Sequence, residues 1–227
     1  MTSHDAGSPP PEPADETLTV YTAGHSNIPQ ARFIALLQRH GIQSLVDVRS
    51  APYSRYVPHY NRPELEDAVE RQGIRYLYLG DELGGRPPTE DYYDTASHVL
   101  YARVAVAPFF LNGLERLKDE VGVYRTAIMC SEEDPTNCHR HLLIARVLER
   151  QGVRVLHIRG DDREQTEADL RPSQPAAQQL SMFDLAGGTP EPVESEDATW
   201  KSIRPVSRRE QPKNSSRPSG EWESGDF

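Results

Sequence analysis

Apolar residues fall into two alternating kinds of run along the chain. Short blocks at 18–24 ("LTVYTAG"), 44–48 ("SLVDV"), 75–79 ("RYLYL"), 126–130 ("TAIMC") and 154–158 ("RVLHI") have the length and the β-branched or aromatic content of strands. Between most of them lie stretches with helical spacing. In "PQARFIALLQRHG", Pro29 suits a first helical turn, Phe33, Leu36, Leu37 and His40 recur at helical intervals, and Gly41 ends the pattern. "RPELEDAVERQG" and "CHRHLLIARVLERQG" likewise stop at Gly73 and Gly152, each followed by a strand. Between Asp91 and Glu120 two helices are expected, broken near Pro108. Repeated strand, helix, strand order predicts an α/β fold: a single three-layer domain with a mostly parallel sheet of about five strands.

Composition limits how much of the chain this domain takes up. Only 36% of the 227 residues are hydrophobic, and eleven of the 19 prolines lie outside residues 17–160. The domain is therefore placed at 17–160, between a disordered head (1–16) and a disordered, acidic, Pro-rich tail (161–227), segments too poor in apolar residues to offset the entropy of ordering. Charge divides at the same boundaries. Residues 17–160 carry 17 acids and 17 bases, so the net charge of −10 comes from the flanks. A neutral domain argues against strong nonspecific nucleic-acid binding, although 16 of its 17 bases are arginine, the side chain suited to bidentate phosphate contacts. No apolar run is long enough to span a bilayer, and the N-terminus lacks a signal peptide's charged and apolar regions. A cytoplasmic protein with no membrane partner is expected, its two cysteines, Cys130 and Cys138, present as thiols.

In an open parallel sheet, ligands bind beyond the carboxyl ends of the strands. The four segments placed there are "GHSN" (24–27), "DVRSAPYSR" (47–55), "LGDELGGRP" (79–87) and "CSEEDPTNCHR" (130–140). Each has an ordinary structural explanation taken alone: His25 can cap a strand, Asp47 can pair with Arg49, and Gly84-Gly85 can turn the chain. The glycines lack the spacing of a dinucleotide or P-loop signature. Their convergence on one rim is what points to a site.

The series "TAGHS", "LVDVRSAPYS", "GIRYLYLGDELGG" and "CSEEDPTNCHR" resembles, in order, the domain-of-unknown-function family 488. The resemblance implies a site drawn from His25, Ser26, Asp47, Arg49, Pro52, Ser54, Leu83, Gly84, Gly85, Cys130, Glu132, Cys138, His139 and Arg140. Tyr60 stands where the family pattern has Phe.

Three chemistries suit this rim. A strand, a cysteine, a loop and a helix starting near Arg140 resemble rhodaneses and Cys-dependent phosphatases, which would make Cys130 a nucleophile for sulfur or phosphate transfer. Nine residues separate Cys130 from Arg140 where the phosphatases have five, and Glu132, Glu133 and Asp134 oppose an anion. A metal site would use Cys130, Cys138 and His139, with His25 as a fourth ligand. The seven residues between the cysteines are not the CxxC spacing of structural zinc, and no metal is expected. In the third reading Glu132 and Asp47 are the catalysts, joined by Cys130 and His25. Ser26, Arg49, Ser54, Gly84, Gly85, Cys138, His139 and Arg140 then bind substrate, and the bond acted on is an N-glycosidic one. No cofactor is identified.

One segment of the tail stands out. "QLSMF" at 179–183 resembles the bacterial sliding-clamp-binding motif, with Gln179 for polar contacts, Leu180 and Phe183 for apolar pockets and Met182 replacing Leu at similar volume. A clamp ligand acts where DNA is copied or repaired. The sequence therefore leads to a DNA-maintenance protein that acts on damaged or modified DNA or nucleotides and is recruited to the DNA polymerase sliding clamp. The alternatives are a thiol-dependent transferase and a noncatalytic module carried to the clamp.

Overall fold

Residues 17–170 and 199–207 are described by the structure, a computed structural model. Six strands form one sheet: β1 (Thr19–Gly24), β2 (Ser44–Asp47), β3 (Arg75–Tyr78), β4 (Thr126–Cys130), β5 (Arg154–Ile158) and β6 (Glu164–Thr166), in the spatial order β3-β2-β4-β1-β5-β6. The first five are parallel, and β6 runs antiparallel along β5.

Neighbouring residues in the strands face opposite layers, as the period of two requires. Val20, Val46, Ile128 and Val155 join one apolar cluster, while Tyr21, Leu45, Ala127 and Leu156 join the other. The second cluster is covered by α1 (Gln30–Arg39) and α2 (Arg62–Glu70) through Phe33, Leu37, Leu65 and Val69. The first is covered by α4 (Pro108–Val123) and α5 (Arg146–Arg150), which bring Phe110, Leu114, Leu117 and Leu148. Crossover handedness accounts for the division. The chain steps from β1 to β2 to β3 in one direction across the sheet and from β3 to β4 to β5 in the other, and right-handed crossovers then place the helices on opposite faces. Two helices, the short α3 (Tyr101–Val104) and α4, meet at Pro108 as expected.

The folded unit runs past residue 160, where the domain was expected to end. β6 and the short α6 (Glu167–Leu170) are built on it, and residues 199–207 return to pack against α3. These additions have little apolar pattern to announce them. β6 is held by pairing to β5, and α6 by Glu167, whose buried carboxylate meets His141 and His157. The returning segment is anchored by Trp200, which is 7% exposed and donates its indole N–H to the Leu142 carbonyl. Arg146 and Arg150 stack on the Trp200 ring, and Lys201 pairs with Asp94. Among the described residues no helix is long and apolar enough to cross a membrane. Residues 1–16 and the segment 179–183 lie outside the described residues.

Candidate functional site

The carboxyl end of β4 lies at the middle of the sheet, and loops from its neighbours close around it. Gly24 ends β1 against the loop after β4: a Cβ there would run into the backbone of Glu132 and Glu133. Gly85 permits another close approach, since its Cβ would stand 2.9 Å from Nδ1 of His139. Beneath the loop after β4 lies Arg140, with 0% of its surface exposed. Its guanidinium donates to the carbonyls of Glu132 and Glu133, which fixes the path of the loop over the start of the following helix. That helix opens with a wide π turn, Arg140–Ala145, before continuing as α5.

Cys130, Cys138 and His139 meet at this corner. Nδ1 of His139 lies 3.8 Å from each sulfur, and its Nε2 lies 3.2 Å from the Val48 carbonyl. The carbonyl can only accept, so Nε2 carries a proton and Nδ1 faces the sulfurs. The two thiols are unlike. The Cys138 thiol holds Cys130 well below the ordinary thiol range against the effect of burial, with help from His139 and Arg140. Cys138 is pushed well above that range by burial and by the adjacent Cys130. Cys130, Cys138 and His139 line a cavity of about 230 Å³, whose walls also include Glu132, Asn137, Arg49, Ser50 and Arg86, with Ser202 and Arg204 from the returning segment.

Most of these loops fall within the part of the chain that matches a known family. A family model described as Domain of unknown function DUF488 matches residues 29–147, just over half of the 227-residue chain. The chain belongs to DUF488. No curated protein and no solved structure matches it. The match spans the loops after β2, β3 and β4, so Arg86, Glu132 and the Cys130 corner of the cavity lie within the DUF488 region, while His25 and Ser26 precede it and Ser202 and Arg204 follow it.

Inside this DUF488 domain the expected site divides in two. Asp47, expected as a catalytic carboxylate, is not among the residues lining the cavity and is fully buried. Its oxygens accept from Nε and NH2 of Arg49, at 2.9 and 2.6 Å, and from the Tyr76 hydroxyl at 2.7 Å. An anion so fully partnered holds the β2 end together and has no acceptor capacity left for a substrate proton. His25 is likewise engaged on both ring nitrogens, by the Ser26 carbonyl at 2.7 Å and by NH1 of Arg49 at 3.2 Å, and it stacks on Tyr60. Burial, followed by the Arg49 charge, lowers its pKa to about 4, so the ring is neutral at ordinary pH. Tyr60 donates its hydroxyl to the Ile28 carbonyl.

Four further expected residues shape the rim without lining it. Ser26 takes a positive φ of 45° and donates its N–H to Ser131, and Ser54 accepts from the N–H groups of Tyr56 and Val57 in a turn. Gly84 makes room for Ser50, and Arg140 stays beneath the floor. Glu132 does line the cavity and is exposed there. Arg86, Ser202 and Arg204 were not expected. Arg86 directly follows the Gly84-Gly85 turn already singled out, and Trp200, a large apolar residue in a Pro-rich tail, is the signal that could have pointed to the returning segment.

Proposed function

We propose that this DUF488 protein is an enzyme acting on a phosphate-bearing substrate of the nucleotide or nucleic-acid class. The observation carrying this reading is the convergence of Cys130, Cys138, His139 and Glu132 with the exposed Arg86 and Arg204 on one cavity at the carboxyl end of a parallel sheet. Arginine guanidinium groups match phosphate oxygens bidentately, and the cavity volume suits a small polar group or a single nucleotide unit. Arg49 already serves Asp47 and His25, which leaves phosphate binding to Arg86 and Arg204. Glu132 is the acid or base, because the other expected carboxylate is committed to Arg49 and Tyr76.

Calorimetry with nucleoside mono- and diphosphates and short oligonucleotides, with mass spectrometry of products, tests this reading. Saturable binding that weakens at least tenfold in Arg86→Ala with Arg204→Ala supports it. Turnover lost in Glu132→Gln supports the assigned role of that carboxylate. A protein that binds none of these compounds at millimolar concentration contradicts it.

Recruitment to a sliding clamp is a second part of the proposal, supported by Gln179, Leu180, Met182 and Phe183 in the tail sequence. The described segments on either side of this stretch, ending at Leu170 and resuming at Thr199, both pack on the domain, so a clamp-bound motif would keep the cavity close to DNA. A micromolar affinity for a bacterial sliding clamp is expected, about −8 kcal/mol. Substituting Leu180 and Phe183 together with Ala removes roughly 3 to 6 kcal/mol of burial and abolishes detectable binding. Undiminished clamp binding by the double variant would contradict this part.

A further inference from the structure

The donor atoms Cys130 Sγ, Cys138 Sγ and His139 Nδ1 lie within 4.8 Å of one another. Nδ1 stands equally far, 3.8 Å, from both sulfurs. An imidazole nitrogen has a single lone pair or a single proton in the ring plane, so it can serve one sulfur by hydrogen bonding and would be drawn toward that one. Equal separation from two sulfurs fits a shared centre bonded to all three atoms. Zinc bonds of about 2.3 Å to sulfur and about 2.0 to 2.1 Å to nitrogen, set at tetrahedral angles, place S and N about 3.6 Å apart. The separation observed is within a few tenths of an ångström of that estimate.

Three other features suit the same occupant. His139 directs Nε2–H at the Val48 carbonyl, the outer hydrogen bond that orients a metal-binding imidazole and leaves Nδ1 free to coordinate. Gly85 lets its loop pack against the ring and limits its swing. Two thiolates neutralise a divalent cation, so the filled site brings no net charge into a corner that already holds the buried guanidinium of Arg140. His25 is not a fourth protein ligand, because both of its ring nitrogens are engaged. On the remaining side lies the cavity.

We propose that Cys130, Cys138 and His139 bind one zinc ion, with a fourth coordination position open to the cavity for water or substrate. Soft sulfur donors with an imidazole select zinc over magnesium or calcium, and three protein ligands with an open position are the arrangement of catalytic rather than structural zinc. The proposal rests on the reading of the cavity as a catalytic site and names its reactive centre. Seven residues between the cysteines did not suggest a zinc site, because the loop's course over Arg140, not local spacing, brings the two sulfurs together.

The test uses the full chain purified without added chelator. Its zinc content by mass spectrometry should be close to one equivalent per chain. Exchange with cobalt(II) should give the sulfur-to-cobalt charge-transfer bands and intense visible bands of a tetrahedral site with two thiolates. Cys138→Ser and His139→Ala should each reduce zinc occupancy at least tenfold, with circular dichroism confirming the fold. Treating the unmodified protein with chelator, which needs no variant, should make both thiols open to alkylation. Zinc well below one equivalent after reconstitution, no charge-transfer band with cobalt, or equal alkylation with and without chelator would each overturn the proposal. Nucleotide calorimetry on the same preparation separates the two readings: binding without metal leaves the phosphate-substrate reading standing and removes only the zinc, whereas metal without nucleotide binding does the reverse.

Discussion

Two clusters of metal-binding residue types adjoin in sequence, the second starting at His141, two positions after the first ends at His139, and they are built on opposite principles. In the cluster of His141, His157 and Glu167, the polar atoms meet at hydrogen-bond length: His157 Nε2 lies 2.6 Å from Glu167, and His141 Nδ1 lies 2.8 Å from it. Thr22 takes the other nitrogen of His157 at 2.7 Å. That cluster is closed on itself, and its product is structural, since it fastens α6 to the sheet. In the cluster of Cys130, Cys138 and His139, Nδ1 stands 3.8 Å from each sulfur, beyond ordinary hydrogen-bond length, and the three residues line a cavity. Residue identity does not separate the two; distance and access do. Carboxylates repeat the lesson, with Asp47 saturated by Arg49 and Tyr76 while Glu132 is exposed in the cavity wall.

The largest expected effect comes from opening a closed unit. Asp47→Asn leaves the buried Arg49 guanidinium without its counterion, at a cost of about 3 to 5 kcal/mol. Calorimetric melting should show a fall of roughly 10 °C for a domain of this size. A melting temperature unchanged by Asp47→Asn would mean that Asp47 is not the structural carboxylate described above.

Next comes Trp200→Ala, which removes a buried indole, its hydrogen bond to Leu142 and two stacked arginines. A loss of about 2 to 4 kcal/mol is expected from denaturant titration. Substrate binding should weaken as well, because the segment anchored by Trp200 supplies Ser202 and Arg204 to the cavity wall.

A smaller effect tests the second cluster by pH. Burial alone would raise the Glu167 pKa, but hydrogen bonds from His141 and His157 hold it at about 2. A depressed carboxylate pKa stabilises the fold above its ordinary value of 4.5 and loses that contribution as pH falls toward 2. Up to about 3 kcal/mol should vanish over that range. Glu167→Gln should flatten this acid limb while leaving the Cys130 corner, and any metal held there, untouched. An acid limb as steep in the variant as in the unmodified protein would show that the network contributes nothing to folding. Smallest is the effect of Glu132→Gln on stability, expected within about 0.5 kcal/mol for an exposed side chain, even as turnover is lost.

The sequence shows the five parallel strands, their helices and the rim loops because each is written locally, in periodic apolar positions and in glycines that end helices. Beyond residue 160 that signal fades. β6 is a polar edge strand, α6 is held by a carboxylate buried between two histidines, and the returning segment depends on one tryptophan. Such elements are fixed by single long-range contacts, which leave no period in the chain. The site was legible as a set of loops but not in its division of labour. Asp47 and Glu132 look alike as residues, and only the placement of Tyr76 and Arg49 commits the first to structure. Cys138 and Cys130 likewise become one unit only through the loop's path over Arg140.

Anomalous scattering at the zinc edge from crystals of the full chain, grown with equimolar zinc, tests the contrast between open and closed clusters most directly. One peak is predicted, about 2.3 Å from Sγ of Cys130 and of Cys138 and about 2.0 to 2.1 Å from Nδ1 of His139, with none at His141, His157 and Glu167. A peak at the second cluster, or none at the first, would contradict the account.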